Sequence, residues 1–359
     1  MAPETQSAVL PRRSIIHKTG KAVLALLLVA IGLACAGAAY QVIGTWRDAD
    51  HFHQQGHSVQ AGSVKLNIDC YGQGNPIVIL ESGLTVPALG WMKVQPEVAK
   101  FTRVCSYDRA GYGWSDPGPE PRTMSEISKE LKVVLDAAGE KGPFVLVGHS
   151  LGGFIVRVFT HLYPGEVAGV VLVDASHEDE DDRINALLPE ALKMQEKKKD
   201  EWDAKVNRVM TPIRVYLGLQ RLELAMGWSG SSHLSKEQRQ ELSYLRQQSK
   251  ARKAIVSESA AWPHGVAEVR SAGGFGDRPL IVLTAGKPYD PDPLLTKEQM
   301  DRQSDMWIHD LQAQEARLST HGRQIVVPDS SHMIPYERPD TIISAIHEVC
   351  STVRDSDYQ

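Results

Sequence analysis

The stretch that decides the fold is VLVGHSLGGFIVRVF, residues 145–159. An apolar run typical of a buried strand ends near Gly148, and an amphipathic pattern typical of a helix begins after Ser150. Gly148, Ser150 and Gly152 fit the pattern G-x-S-x-G, with the strand before it and the helix after it. In that context the pattern predicts a sharp, strained turn, because glycines leave room around the central residue. We therefore predict that the Ser150 hydroxyl projects above the sheet as a nucleophile.

From about Ser58 onward, short β-rich runs alternate with helical patterns. Thr123 and Glu126 form a capping-box pattern at a helix start, and Gly139 is a stop signal for the same helix. Alternation of this kind predicts a mostly parallel sheet that helices cover on both faces. The predicted strands lie in NPIVILESG, FTRVCSYD, PFVLVGHS, AGVVLVDAS, RPLIVLTAG and GRQIVVPDS.

Residues 178–265 break this alternation, because they contain several helical runs and no convincing strand. We predict a helical cap inserted between two core segments, residues 58–177 and 266–354. Its apolar residues have two interpretations, the roof of an apolar acyl pocket and the cap's own core. These residues are Leu187, Leu188, Trp202, Tyr216, Leu217, Leu219, Met226 and Trp228.

Residues 22–44 form an apolar stretch whose only strongly polar member is Gln41, and four basic residues precede it. A stretch of this length can cross a bilayer, and the positive flank favours the cytoplasmic side. We therefore predict a signal anchor, with residues 1–21 in the cytoplasm and the rest on the periplasmic or extracellular side. Cleavage of a signal peptide at ACAGAAY is the alternative. A lipoprotein at Cys35 is disfavoured, because the box Gly32-Leu33-Ala34-Cys35 lacks leucine at its first position.

Composition excludes several classes of partner. The chain of 359 residues has 42% hydrophobic residues, a net charge of −5 and no long run of lysine or arginine, so a nucleic-acid partner is not expected. No Cys/His spacing suggests a metal site.

Cys70 and Cys105 each end a predicted strand, so they could form a disulfide in an exported domain. Alternatively, they are two buried small hydrophobic residues.

Four stretches, SYDRAGYGWSDPGPEPRT, FVLVGHSLGGFIVRVF, VVLVDASHED and DSSHMIPYERPD, carry a resemblance to a known family. Over nearly everything from Ser58 to Val353 the chain resembles the α/β-hydrolase superfamily, and more narrowly the bacterial membrane-anchored hydrolases. The resemblance implies an α/β-hydrolase fold with a helical cap. Because a shared fold does not fix function, each role must be argued at its residue.

A serine nucleophile needs a base, and in this fold the chain order is serine, acid, histidine. Among 13 histidines, His332 follows the last predicted strand in a loop at the same sheet edge as Ser150, so we predict that it is the base. The acid has more than one candidate. Asp174 lies directly at a strand tip and is favoured, while Asp290 and then Asp292 follow the next strand within a proline-rich loop.

The oxyanion that develops during acyl transfer needs N–H donors. Leu151, the residue after the nucleophile, is predicted to supply one, and Leu84, after the strand IVILESG, the other. Gly83 allows that loop a close approach. The stretch DRAGYGWSD is predicted to form a rigid loop on the floor of the site.

A serine at the elbow favours acyl chemistry over the aspartate-ester chemistry of dehalogenases and epoxide hydrolases. We therefore expect a serine hydrolase that cleaves an ester-type bond of a small, apolar acyl substrate without a metal or organic cofactor. An amide, thioester or C–C bond hydrolase and a cofactor-free peroxidase would use the same residues. A ligand-binding protein without catalysis is the further alternative.

Overall fold

The structure is a computed structural model that describes residues 12–287 and 295–356. Its chain divides into two compact units. The smaller unit comprises Met1–His51 and Trp202–Ser229, and the larger comprises Phe52–Glu201 and Gly230–Gln359.

The larger unit is built on an eight-stranded sheet with the order β1-β2-β4-β3-β5-β6-β7-β8. The strands are β1 (His57–Ala61), β2 (Val64–Tyr71), β3 (Ile77–Glu81), β4 (Val104–Tyr107), β5 (Phe144–His149), β6 (Val167–Val173), β7 (Leu280–Ala285) and β8 (Gly322–Val327). β2 pairs antiparallel with β1 and β4, and all the other pairs are parallel. The predicted α/β class and mostly parallel sheet are therefore confirmed. β3, β5 and β7 are buried along their whole length, which explains their continuous apolar sequences.

Helices cover both faces of the sheet. In chain order, the helices of the two units together are α1 (Arg12–His51), α2 (Gln95–Val98), α3 (Met124–Ala138), α4 (Leu151–Leu162), α5 (Glu180–Ala186), α6 (Glu190–Tyr216), α7 (Leu219–Ala225), α8 (Lys236–Gln247), α9 (Ser249–Ala260), α10 (Trp262–Ala272), α11 (Lys297–Asp305), α12 (Gln312–Ala316), α13 (Ile334–Glu337) and α14 (Pro339–Ser356). α3, α4 and α12 pack on one face, and α2 and α14 pack on the other. A π-helical turn, Met306–Leu311, joins α11 to α12.

The start and stop signals of α3 act largely as predicted. The Thr123 side chain accepts a hydrogen bond from the Glu126 N–H at 3.2 Å, and Gly139 ends the helix with a φ of 78°. The reciprocal half of the capping box does not form; the Glu126 carboxylate pairs with Lys129 at 2.7 Å instead.

Cys70 and Cys105 are direct partners across β2 and β4, and their sulfurs are bonded as a disulfide. Of the two interpretations of these cysteines, the structure thus contains the disulfide. Cys350 is buried on α14.

The insertion is helical, as expected, and comprises α5 to α10. α10 continues past residue 265 to Ala272 and packs against α3 and α4 through Val269, which lies with Met124 and Phe154 in one apolar cluster. The interpretation of the insertion's apolar residues as buried cap core is wrong for five of them. Trp202, Tyr216, Leu219, Met226 and Trp228 are between 41% and 74% exposed.

The smaller unit contains one helix that is long and apolar enough to cross a membrane. This segment of α1, Lys21–His51, has 31 residues and reaches a mean hydropathy of 2.6. Its apolar side chains are exposed along its length, with Leu26 at 69% and Leu33 at 70%.

Candidate active site

Ser150 lies between β5 and α4 with a φ of 54° and a ψ of −124°. This backbone conformation is strained for a residue with a side chain, and such strain is typical of functional sites. The flanking glycines are required by space. A Cβ on Gly148 would lie 2.6 Å from the Gly152 carbonyl oxygen, and one on Gly152 would lie 2.5 Å from the Glu81 carbonyl oxygen.

Asp174 follows β6 directly and is buried, with its side chain 3% exposed. Its Oδ2 is 2.7 Å from Nδ1 of His332. Its Oδ1 accepts hydrogen bonds from the Ala285 backbone N–H and from Nε1 of Trp307, both at 2.9 Å. Three donors therefore surround the carboxylate and fix its orientation.

The electrostatics of this pair follow from burial and contact. Burial raises the pKa of Asp174, but the hydrogen bond and charge of His332, with the other two donors, outweigh burial and hold that pKa below its ordinary value. Burial lowers the pKa of His332, yet the hydrogen bond and charge of Asp174 hold it above its ordinary value. The ionised carboxylate thus favours a proton on His332.

His332 lies in the loop after β8 and its side chain is 44% exposed, so a reacting molecule can reach the ring. The adjacent His149, at the variable position of the elbow, positions this loop. Nε2 of His149 donates to the His332 carbonyl oxygen at 2.9 Å, and the two ring centroids are 4.8 Å apart. Burial lowers the pKa of His149 to about 4, so it is neutral near pH 7.

The loop after β3 approaches the elbow closely at Gly83. A Cβ on Gly83 would lie 3.1 Å from the Ser150 Cβ and 3.1 Å from Nδ1 of His149. The Leu84 side chain packs against the cluster that contains Leu151. The two residues predicted to donate to the oxyanion therefore lie beside the elbow.

Arg109 holds the backbone of this loop from below. Its guanidinium donates to the carbonyl oxygens of Ser82 at 2.6 Å and Gly83 at 2.9 Å, and it pairs with Glu81 at 2.7 Å. Nearby, the Tyr112 hydroxyl accepts a hydrogen bond from the Thr85 N–H at 3.3 Å. The stretch DRAGYGWSD thus fixes the loop that carries Leu84.

Glu258 of α9 completes this network. It is fully buried, and its carboxylate pairs with Arg109 at 3.0 Å and accepts from the Tyr112 hydroxyl at 2.8 Å. A buried charge needs such partners to offset its desolvation. The insertion therefore contributes a buried ion pair that supports the loop after β3.

Only some of the residues predicted for this site can be placed in it. Ser150, Asp174 and His332 lie at one edge of the sheet, while Asp290 and Asp292 lie outside the described residues. The sequence does not indicate Trp307 or Glu258 as members of the site, since neither belongs to a recognisable motif.

A second cluster contains His177, Glu178 and Glu315, whose ligand atoms all lie within 4.8 Å of one another. The Arg157 guanidinium is already paired with both carboxylates, at 3.1 Å to Glu315. Because this cation balances their charge, the cluster does not fit a metal ion, and no metal is assigned to it.

Comparison with known proteins identifies the family. The sequence profile described as "alpha/beta hydrolase fold" matches residues 75–339, so most of the chain is covered. The chain belongs to the α/β-hydrolase fold family.

Individual relatives match over shorter segments. An "Uncharacterized vacuolar membrane protein" of Saccharomyces cerevisiae is 33% identical over 142 residues, which is 34% of this chain and 22% of that protein. A 2-hydroxy-6-oxo-2,4-heptadienoate hydrolase of Pseudomonas putida is 33% identical over 123 residues, which is 33% of this chain and 44% of that enzyme. The matched segments thus span less than half of these curated relatives.

Among solved structures, a thermophilic esterase from Thermogutta terrifontis has a TM-score of 0.55 and 18% sequence identity. The match covers 83% of this chain and 99% of the esterase chain. At this identity the likeness establishes the fold alone.

Proposed function

We propose that the chain is a serine hydrolase that cleaves an ester-type bond through an acyl-serine intermediate. The observation that carries the proposal is the strained Ser150 turn at the same sheet edge as the 2.7 Å His332–Asp174 pair. A nucleophile, a base and a group that orients the base are the parts that acyl transfer needs.

In the proposed reaction, Ser150 Oγ attacks the carbonyl carbon while its proton passes to Nε2 of His332. Asp174 keeps the other ring proton on Nδ1 and stabilises the imidazolium. The backbone N–H groups of Leu151 and Leu84 would donate to the oxyanion. The bond to the leaving oxygen then breaks as His332 returns the proton to that oxygen. A water molecule, deprotonated by His332, hydrolyses the acyl-serine and regenerates the hydroxyl.

The test is covalent labelling with a fluorophosphonate, together with turnover of activated esters of graded acyl length. Ser150→Ala is expected to lose all labelling and about a million-fold in kcat, the typical cost of removing such a nucleophile. Ser176→Ala, which removes another buried hydroxyl near the site, is the matched control and should still be labelled. Turnover by Ser150→Ala within tenfold of wild type would refute the proposal.

A second candidate reaction is C–C bond hydrolysis by the same residues. The name of the Pseudomonas putida relative, a dienoate hydrolase, favours its inclusion. Turnover of 2-hydroxy-6-oxo-2,4-heptadienoate, with no turnover of esters at any acyl length, would select this alternative.

We propose further that α1 anchors the protein in a membrane and that the larger unit lies on the non-cytoplasmic side. The apolar Lys21–His51 segment and its basic flank support the anchor. The Cys70–Cys105 disulfide supports an oxidising compartment. Retention in membranes after a carbonate wash, with the larger unit digested only from the outer side, is expected. A soluble form that begins near Tyr40 would indicate cleavage instead.

A further inference from the structure

The smaller unit contains, besides α1, the end of α6, a turn at Gly218 and α7. We call residues 202–229 the anchor-bound hairpin. We infer that this hairpin lies in the interface of the bilayer, with its exposed apolar side chains among the lipids that surround α1. This inference rests on the proposed anchorage of α1 and extends it to a second segment far away in the sequence.

The hairpin is packed backbone to backbone on α1. A Cβ on Gly37 would lie 2.4 Å from the Leu217 carbonyl oxygen, and one on Gly218 would lie 3.0 Å from the Gly37 carbonyl oxygen. Gly218 also needs its freedom of conformation, because its φ is 67°. Close approach at small residues is how helices associate within membranes.

Polar contacts set the register of the hairpin along α1. The Arg221 guanidinium pairs with Asp48 at 2.6 Å, and its Nε donates to the Gln41 side chain at 3.3 Å. Both members of the ion pair have side chains that are 17% exposed, so they are largely covered. Arg221 is therefore held beside the end of the apolar stretch of α1.

The contacts of the hairpin with α1 indicate how deeply the hairpin would lie in the bilayer. The apolar stretch ends at Gly44, and Gly37 lies seven residues before it, about 10 Å deeper at 1.5 Å per residue. Asp48 lies four residues beyond Gly44, about 6 Å outside the apolar stretch. From Leu217 to Arg221 the chain thus passes from the level of the outer acyl chains to the level of the headgroups. Interfacial helices lie within this range of depths.

The exposed side chains of the hairpin match this position. On α6, Trp202, Val209 and Ile213 are spaced by seven and four residues, and on α7, Leu219 and Leu222 are spaced by three. Each set therefore shares one face of its helix. These residues and Trp228 are between 41% and 74% exposed. Large apolar side chains that are exposed together on one helix face mark an interaction site, and tryptophan is enriched at membrane interfaces.

Charge complements the lipid surface. Residues 202–229 contain four basic and two acidic residues. Arg221 is paired with Asp48 and Arg214 with Glu223, so a small basic excess remains, although the whole chain carries a net charge of −5. A basic amphipathic segment is attracted to anionic headgroups. Continuity with α1 and this local charge favour lipid over a second copy of the chain as the occupant of the surface.

Site-directed spin labelling of the full-length protein tests the inference. The protein is reconstituted into vesicles of phosphatidylethanolamine and phosphatidylglycerol, with Cys35→Ser as the background so that α1 has no competing thiol. Labels are placed singly with Leu222→Cys on the hairpin, Leu33→Cys on α1, and Val133→Cys on α3. Val133 is the matched control for Leu222, because the two side chains are 42% and 44% exposed. Collision rates with oxygen and with a water-soluble nickel chelate report the surroundings of each label.

The oxygen-to-nickel ratio at position 222 is expected to exceed that at position 133 and to lie below that at position 33, because Leu222 adjoins Arg221 at the level of the headgroups. If positions 222 and 133 are alike while position 33 is in lipid, the inference is overturned and the anchor stands. If position 33 is also aqueous, the proposed anchorage fails as well. Shielding of position 222 from both reagents, with spin–spin broadening that dilution removes, would assign the surface to a second copy and overturn the inference. A Leu219→Cys label serves as the second probe if Leu222→Cys lowers the Tm.

Discussion

Replacing Asp174 with asparagine should inactivate the protein, because the surroundings of this side chain determine how the new amide must sit. The Ala285 N–H and Trp307 Nε1 both donate to Oδ1, so the amide oxygen must take that position. The amide nitrogen must then face Nδ1 of His332, which can no longer donate to it. The ring is left with its proton on Nε2, the atom that should accept the proton of Ser150.

The expected loss follows from that tautomer. The equivalent change in another serine hydrolase lowers kcat about ten-thousand-fold, which corresponds to about 5.5 kcal/mol of transition-state stabilisation. A second effect concerns pH. In the wild type, kcat/KM should rise with pH through the raised pKa of His332, because the base must be neutral. Without the carboxylate, burial lowers the pKa of His332 and only the weaker charge effect of Glu180 opposes it, so the acid limb of any residual activity should move to lower pH.

The assay is kcat/KM for a small activated ester across pH, with Tm as a check on folding. Asp290→Asn is the matched control, and it should change kcat/KM by less than tenfold if the proline-rich loop carries no catalytic acid. The reasoning fails if Asp174→Asn keeps more than a tenth of wild-type activity. An inactive Asp290→Asn variant with an active Asp174→Asn variant would move the acid to the loop after β7.

Three further changes probe what supports the site. Glu258→Gln removes the buried charge that faces Arg109. We expect urea unfolding to show a destabilisation of about 3 kcal/mol and ester turnover to show a lower kcat. An unchanged unfolding midpoint would contradict the role of the pair. His149→Phe leaves the His332 carbonyl without its donor at a cost of about 1–3 kcal/mol, and a Tm equal to that of wild type would argue against the contact. Replacing Cys70 and Cys105 together with serine opens a loop closed over a separation of 35 residues, and a loss of about 4 kcal/mol is expected. Reductant should lower the stability of the wild type by a similar amount and leave the variant unaffected.

Much of the sheet could be predicted from sequence because parallel strands buried on both faces are continuous apolar runs. The runs around Ile79, Leu146 and Leu283 therefore identify β3, β5 and β7 directly. Ser150 could be predicted from the sequence equally well, since its turn needs glycines at fixed positions. β1 was less visible, because only Val59 and Ala61 of His57–Ala61 are buried and no long apolar run results.

The residues that support Asp174 and Arg109 are harder to predict, because they lie in segments that carry no sequence motif of the site. Trp307 lies in a π-helical turn, and only tertiary contact brings its indole N–H to Asp174. Glu258 lies 149 residues from Arg109, on a helix of the insertion. A glutamate on a helix is usually solvated, so burial of this carboxylate could be recognised only with the fold in hand.

The same limit explains the misassigned apolar residues of the insertion. An apolar stripe at helical spacing requires a surface to cover it, but the spacing is identical whether that surface is a protein core or a lipid. In a chain that begins with a segment able to cross a membrane, both surfaces are available. The inference that lipid covers the stripe rests on the pair Gly37 and Gly218, whose missing side chains allow the hairpin to pack on α1. Neither glycine belongs to a motif in the sequence. The role of each can be recognised only from its contact with the segment that carries the other.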